Sequence, residues 1–278
     1  MAAASGGNVL LRTVTGVTLL SISLAVICIP SLNAGFAILV TALSTVGLYE
    51  VFALSRARGI SPETIGAMLS GALVTASGYF ESLQLTNFML YTGCLMVAWL
   101  HVVRGQLAVA GLAATIFGII YVGWFGAHLI LLHRLDPIGP GMVIMLLVAV
   151  VLTDTAAFFV GRAIGKHKLA PKVSPNKTWE GAAGGFLFAV VGTGALYWLR
   201  GQSWMLPLPD WSVYGYLVAG GLLSVASQVG DLTESALKRD AGVKDSGRFL
   251  PGHGGALDRC DGILFAAPFL YYMTVDLF

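Results

Sequence analysis

Long apolar runs are the feature that most constrains how this chain can fold. Runs that approach the roughly 20 residues needed to cross a bilayer occur at about 13–29, 32–54, 62–80, 85–103, 107–132, 142–162, 182–199, 213–230 and 262–277. Charged residues make up only 11% of the chain, against roughly 25% in soluble proteins. The sequence therefore predicts an all-α, polytopic integral membrane protein with about nine transmembrane helices. We expect one membrane-embedded domain, with an N-terminal helical half at 1–140 and both polar motifs in 141–278.

Basic residues are distributed unevenly between the two sides of such a bundle. Lys and Arg near span ends stay on the cytoplasmic side of a membrane. Of the sixteen basic residues, only Arg134 and Arg200 fall on the other side from the remaining fourteen. We therefore expect an inner (cytoplasmic) membrane protein whose N-terminus and polar loops face the cytoplasm. The net charge of +2 gives no reason to expect a nucleic acid partner. The abundant glycine favours close helix packing, which would also suit a homodimer.

The longest polar block runs from Gly230 to Gly262. Asp231 closes one apolar run, while Asp258 and Asp261 open the next. Asp258 and Asp261 lie three positions apart, so they share one face of a helix that we expect to begin near Leu257. Clustered carboxylate oxygens, with neither a Cys pair nor paired His, favour Mg²⁺ over Zn²⁺. These three aspartates are the predicted metal ligands.

The middle of the same block combines a helical face with a glycine-rich turn. Asp231, Ser235 and Lys238 fall at i, i+4 and i+7, on a helix that continues out of the preceding span. The glycines between 247 and 255 then break the helix and allow close approach of a ligand. His253 is displayed in that turn within reach of the carboxylates, where it could bind phosphate or move protons.

A second polar segment spans Gly161–Gly181. The run at 174–178, Ser-Pro-Asn-Lys-Thr, joins a turn-forming cluster to a cation and two hydroxyls, a pattern that favours contact with phosphate oxygens. Asp154 lies inside the sixth apolar run, where an ionisable group is costly unless it is paired or faces a polar cavity. It is therefore either functional or a structural partner of Arg162 or Lys166.

Other polar residues in the apolar runs are interpreted structurally. Glu50, near the cytoplasmic end of the second run, is expected to pair with Arg56. His101, His128 and His133 are isolated and are assigned no role.

The two polar segments resemble those of the phosphatidate cytidylyltransferase (CDP-diacylglycerol synthase) family. The positions of the first block that carry the resemblance are Ser235, Leu237, Lys238, Arg239, Lys244, Asp245, Gly247, Leu250, Pro251, His253, Gly254, Gly255, Asp258, Arg259 and Asp261. The second segment is similar through Asp154, Gly161-Arg162, Gly165-Lys166 and residues 174–181. The likeness covers about the C-terminal half of the chain.

The resemblance implies an enzyme that joins CTP and phosphatidic acid to give CDP-diacylglycerol and pyrophosphate, with Mg²⁺ and a second cation nearby. We expect four residues to act in catalysis, namely Asp258, Asp261, Lys244 and His253. The expected contacts to substrate come from Ser174, Lys177, Thr178, Glu180, Ser235, Lys238, Arg239, Arg259 and Asp154.

Two other functions are weighed against this one. A CTP-dependent membrane lipid-alcohol kinase would use the same metal and basic loops but would transfer the γ-phosphoryl group. A cation-coupled transporter would explain Asp154 and Glu50 as an ion path, but it predicts repeated halves and polar residues through the bilayer midplane. The polar residues crowd one face instead, which favours the enzyme.

Overall fold

The described part of the chain is mostly helical and contains one small hairpin. The computed structural model describes residues 3–203, 205–247, 249 and 254–277. Within these residues the α-helices are α1 (Ala3–Cys28), α2 (Asn33–Ala57), α3 (Thr64–Ser77), α4 (Leu83–Val103), α5 (Val109–Gly118), α6 (Phe125–His133), α7 (Gly139–Ile164), α8 (Trp179–Leu199), α9 (Val213–Asp240) and α10 (Leu257–Tyr272). A π-helical stretch, Ile119–Trp124, joins α5 to α6, and another, Met273–Leu277, follows α10. The antiparallel hairpin consists of β1 (Lys168–Ala170) and β2 (Ser174–Thr178).

Every predicted apolar run coincides with a helical segment, which confirms the all-α class. Within the described residues, six helical segments are long and apolar enough to cross a membrane: Pro30–Ala57, Leu83–Val103, Val109–His133, Gly139–Ile164, Trp179–Leu199 and Val213–Asp240. Two further apolar helices, Gly16–Cys28 and Thr64–Phe80, are shorter. The predicted number of nine spans, like the predicted single domain, stays a prediction.

The chain divides into two compact units. The first contains Met1–Ile130 and Asp240–Arg259. Its core includes Leu48, Phe52 and Tyr121, each at most 1% exposed. Small residues allow close helix contact there, since a Cβ atom on Gly123 would lie 3.1 Å from the Cα atom of Gly71. This is the packing expected of helices in lipid, where small residues let backbones approach.

The second unit contains Leu131–Arg239 and Cys260–Phe278. Here α7 and α8 pack through Gly185, whose Cβ atom would lie 2.7 Å from the carbonyl oxygen of Thr153. In the same way, a Cβ atom on Gly230 of α9 would lie 2.5 Å from the carbonyl oxygen of Asp261 in α10. Because Gly230 has no side chain, α10 approaches α9 at the residue that precedes Asp231.

Candidate active site

Three acidic side chains of the second unit converge where α9 meets α10. One carboxylate oxygen from each of Asp231, Glu234 and Asp261 lies within 4.8 Å of the other two. Asp231 and Glu234 share a face of α9 because they are three positions apart. Asp261 reaches them from α10 across the contact at Gly230. We call these three residues the carboxylate group.

Two lysines lie against the carboxylate group. Lys177, from β2, forms an ion pair with Asp231. Lys238, one turn further along α9, forms an ion pair with Glu234, which is only 1% exposed. Burial, and to a lesser degree the charge of Asp231, raises the pKa of Asp261 to about 7. A higher pKa means that the ionised form of Asp261 is disfavoured in this setting, so additional positive charge would stabilise the group. A donor set made of carboxylate oxygens fits a hard divalent cation.

A cavity of about 470 Å³ opens beside Asp231 within the second unit. Its polar lining residues include Asp154, Lys177, Thr178, Gln228 and Asp231. Its apolar lining residues include Ala157, Phe158 and Leu169. The cavity therefore offers both charged and hydrocarbon groups, as an amphipathic ligand would require. Asp154 lines this cavity. An ionisable group inside an apolar run must be paired or face a polar cavity, and the position of Asp154 agrees with the second alternative.

Local structure explains how β2 presents Lys177 to this cavity. Thr178, the last residue of β2, caps α8, because its Oγ1 atom accepts a hydrogen bond of 3.1 Å from the backbone N–H of Gly181. Thr178 is 6% exposed and packs against the end of α7, where a Cβ atom on Gly165 would lie 2.7 Å from its Oγ1 atom. The cap therefore holds the junction of hairpin and helix that positions the neighbouring Lys177.

Glu180 has partners within the same segment. Its carboxylate accepts hydrogen bonds from the backbone N–H groups of Lys166 and His167, at 3.1 and 3.2 Å, and lies 2.6 Å from Nδ1 of His167. These contacts tie the start of α8 to the turn before β1. The expected contact of Glu180 with substrate stays a prediction.

The remaining substrate-contact candidates of the second unit lie on α9 and β2. Ser235 donates a hydrogen bond of 3.4 Å to Asp231. The Nε atom of Arg239 donates one of 3.3 Å to the carbonyl oxygen of Val173, in the hairpin turn just before Ser174. The Ser235 contact lies within α9, whereas the Arg239 contact connects the end of α9 to the second polar segment. Together with the ion pair between Lys177 and Asp231, it brings the two polar segments together here.

Asp258 lies in the first unit, at the start of α10. Its Oδ2 atom accepts hydrogen bonds from the backbone N–H groups of Ser246 and Gly255, at 3.0 and 2.9 Å, and lies 3.0 Å from the Ser246 hydroxyl. α10 begins at Leu257, as predicted. These bonds hold Ser246 and Gly255 against the first turn of the helix, and the expected role of Asp258 as a metal ligand stays a prediction.

Three predicted basic groups remain to be placed. Lys244 and Arg259 are exposed at the surface of the first unit. His253 lies outside the described residues.

The predicted pairing of Glu50 with Arg56 is wrong. Glu50 is 4% exposed, and its carboxylate accepts hydrogen bonds from Ser246 and from the backbone N–H groups of Ala256 and Leu257. Arg56 instead donates to the hydroxyl of Thr64 at 2.9 Å and lies over the ring of Tyr49. Glu50 binds these residues because the start of α10 presents two backbone N–H groups, and a carboxylate at a helix N-terminus satisfies such groups.

Two residues of the second unit were missed by the sequence reasoning. Glu234 belongs to the carboxylate group, and its i+3 spacing from Asp231 repeats the spacing of Asp258 and Asp261 that was used to predict the site. Gln228 lines the cavity and donates a hydrogen bond of 3.3 Å to the carbonyl oxygen of Ala182. An amide in an apolar run carries no comparable spacing signal.

Membrane-length helices and carboxylates beside an amphipathic cavity define a polytopic membrane protein with a candidate cation site. A profile of the cytidylyltransferase family matches residues 10–276. A phosphatidate cytidylyltransferase of Bacillus subtilis is 37% identical over 268 residues, which are 94% of this chain and 96% of that protein. One from Synechocystis sp. is 32% identical over 257 residues, covering 83% of this chain and 85% of the relative. One from Brucella suis is 48% identical over 154 residues, covering 55% and 54%.

The chain belongs to the cytidylyltransferase family. The match extends over nearly the whole chain, so it includes the N-terminal half, where the sequence alone offered only hydrophobicity. The resemblance drawn from the two polar segments is thereby confirmed.

Proposed function

We propose that this protein transfers the cytidylyl group of CTP to phosphatidic acid, giving CDP-diacylglycerol and pyrophosphate. In this reaction an oxygen of the lipid phosphate bonds to the α-phosphorus of CTP. The bond from that phosphorus to the bridging oxygen of the β-phosphate breaks, and pyrophosphate leaves with the electron pair. The observation that carries the proposal is the carboxylate group beside a lysine-bearing amphipathic cavity, in a membrane protein of this family.

The nucleophile needs little activation. A phosphate monoester has a second pKa of about 6, so it is largely a dianion at neutral pH. A general base is therefore not required, and positioning together with charge neutralisation dominates the barrier. The residues of the site are suited to this because they are mostly charged groups on helices and a hairpin rather than a nucleophile with its base.

The carboxylate group supports a magnesium site. Asp231, Glu234 and Asp261 would hold the ion, with Asp258 as the further ligand expected from the sequence. When bound, Mg²⁺ neutralises phosphate charge and stabilises the charge that develops on pyrophosphate. The second cation implied by the family would lie nearby. A hard cation with oxygen ligands agrees with the donor atoms available.

The cationic side chains supply the remaining neutralisation. Lys177 and Lys238 already lie against the carboxylate group, so their charge is held where phosphate oxygens would need it. Arg239 ties the end of α9 to the hairpin turn that precedes Ser174. Lys244, His253 and Arg259 are proposed to clamp phosphate oxygens as well. Charged donors of this kind form stronger hydrogen bonds to phosphate than neutral ones.

The cavity accounts for an amphipathic substrate. Its charged residues would receive the phosphate end of phosphatidic acid, and Phe158 and Leu169 would contact the adjoining glycerol and acyl carbons. The helix that supplies Phe158, α7, is among the segments long and apolar enough to span a membrane. A lipid could thus enter from the bilayer, while CTP arrives from the cytoplasm. We propose that the protein lies in the cytoplasmic membrane with the site facing inward, and that it forms a homodimer.

The proposed function is tested with purified protein in detergent micelles containing phosphatidic acid. Addition of CTP and Mg²⁺ should give CDP-diacylglycerol, identified by mass spectrometry, together with one pyrophosphate for each lipid converted. Omission of phosphatidic acid should abolish pyrophosphate release. Folded protein that forms no CDP-diacylglycerol with several acyl chain lengths would overturn the proposal.

A further inference from the structure

We propose that Glu50 is a positioning residue of this enzyme, which holds Ser246 and the start of α10 in the arrangement that catalysis requires. The inference rests on the proposed function, because these residues belong to the polar block to which that function is assigned. Glu50 lies in α2, nearly 200 residues before the residues that it contacts. It does not touch the substrates in this account; it acts through Ser246 and the first turn of α10.

The Glu50 carboxylate contacts three donors, from Ser246, Ala256 and Leu257. Oε1 accepts a hydrogen bond of 3.1 Å from the backbone N–H of Ala256, and Oε2 accepts one of 2.9 Å from the backbone N–H of Leu257. The Ser246 hydroxyl lies 2.9 Å from Oε2. Because a carboxylate is costly to bury without partners, these bonds explain how Glu50 is tolerated at 4% exposure.

Two glycines, Gly247 and Gly255, lie directly against this carboxylate. A Cβ atom on Gly247 would lie 2.2 Å from Oε1 of Glu50. A Cβ atom on Gly255 would lie 2.1 Å from the Ser246 hydroxyl and 2.6 Å from Oε2 of Glu50. All three distances are far below van der Waals contact, so a side chain at either position would displace Glu50 or Ser246. Gly247 and Gly255 therefore leave room for the Glu50 carboxylate.

The same loop residues hold Asp258. Its Oδ2 atom accepts from the backbone N–H groups of Ser246 and Gly255, and the Ser246 hydroxyl lies between the two carboxylates, 3.0 Å from Asp258 and 2.9 Å from Glu50. Glu50 and Asp258 thus both contact Ser246 and the residues at the start of α10. Loss of the Glu50 contacts should release Ser246 and the first turn of α10, and the orientation of Asp258 would be lost with them.

The substitution Glu50→Gln tests this arrangement with little change in shape. Whichever way the amide turns, its NH₂ group faces the backbone N–H of Ala256 or Leu257, so a donor meets a donor. Outer-shell contacts of this kind typically change metal affinity or activity by about 10–100-fold. We expect kcat to fall by about 10–100-fold while KM for CTP stays within about threefold. Glu81→Gln, which changes an exposed carboxylate of the same unit, should leave both constants unchanged.

Two measurements that do not depend on turnover accompany the kinetics. Hydrogen exchange should be faster in Glu50→Gln for the peptide that contains Ala256 and Leu257. Titration with Mn²⁺, followed by electron paramagnetic resonance, should show about 10–100-fold weaker binding than wild type. Glu50→Asp keeps the charge but is one methylene shorter, so it should restore part of the Mn²⁺ affinity.

The outcomes separate this inference from the proposed function. An inactive wild-type protein would refute the proposed function. An active wild type, together with a Glu50→Gln variant whose kinetics and Mn²⁺ binding match wild type, would overturn the inference alone. If Glu50→Gln does not fold, Ser246→Ala decides, since it removes only the hydroxyl between the two carboxylates. Weaker Mn²⁺ binding in folded Ser246→Ala supports the inference, and wild-type binding refutes it.

Discussion

The cap on α8 gives a stability prediction that can be worked out from one hydrogen bond. In Thr178→Val the shape of the side chain is kept, but the hydroxyl that accepts from the backbone N–H of Gly181 is lost. Gly181 is buried, and its N–H loses this acceptor in the variant. Loss of an N-cap or of a partner for a buried donor costs about 1–2 kcal/mol. Thr178→Ser keeps the cap and removes one methyl group, which costs about 0.8 kcal/mol.

The assay is thermal unfolding of the purified variants in one detergent. For a chain of this size about 1 kcal/mol lowers the midpoint by about 2–4 °C, so Thr178→Val should melt about 2–8 °C below wild type. Thr178→Ser should lie between the two, and Thr178→Ala, which loses both groups, should be the least stable. Turnover per folded Thr178→Val molecule should also fall, because the adjacent Lys177 lines the cavity. A valine variant at least as stable as the serine variant would refute the assigned cap.

Three further predictions concern the charged site and its orientation. Asp231→Asn should abolish turnover in a folded protein. Asp240→Asn, on the same helix, should lower turnover only slightly, because Asp240 forms an exposed ion pair of 3.3 Å with Arg58. Equal losses of turnover in both variants would contradict the assignment of Asp231 to the site. Lys177→Met should raise KM for CTP or phosphatidic acid by about tenfold or more in steady-state assays, because a charge-assisted hydrogen bond to phosphate is lost. Unchanged kinetic constants would show that Lys177 does not contact the substrates. Single cysteines introduced at 201–212 should react with an impermeant thiol reagent in intact cells while Cys260 does not, and equal labelling of both would contradict the proposed orientation.

The membrane helices could be predicted because their signal is local. A run of about 20 apolar residues forms a helix in a bilayer whatever its neighbours are. For this reason the run at 213–230 coincides with α9, and the continuation of the helical face through Lys238 is confirmed by the end of α9 at Asp240. The start of α10 at Leu257 follows a glycine-rich turn, which is also a local signal.

The partners of the carboxylates could not be predicted, because they depend on contacts between distant segments. The position of Glu50 near the cytoplasmic end of its run indicated a pair with Arg56, while the actual partners of Glu50 are residues 246, 256 and 257. Pairing of Lys177 with Asp231 likewise joins a hairpin to a helix more than 50 positions away. Sequence spacing identified most of the charged residues of the site, but only the packing at Gly230 brings Glu234 and Asp261 together.

The fate of the CTP phosphorus atoms distinguishes cytidylyl transfer from phosphoryl transfer. Purified protein is given Mg²⁺, phosphatidic acid and CTP labelled either at the α- or at the γ-phosphate, and the lipid fraction is then counted. Attack at the α-phosphorus carries α-label into the lipid and leaves γ-label in pyrophosphate. Chelation of the divalent cation should stop the transfer, because the repulsion between the anionic substrates is then no longer offset. We expect lipid with α-label only. Lipid that acquires γ-label would show phosphoryl transfer by a kinase and would contradict this expectation.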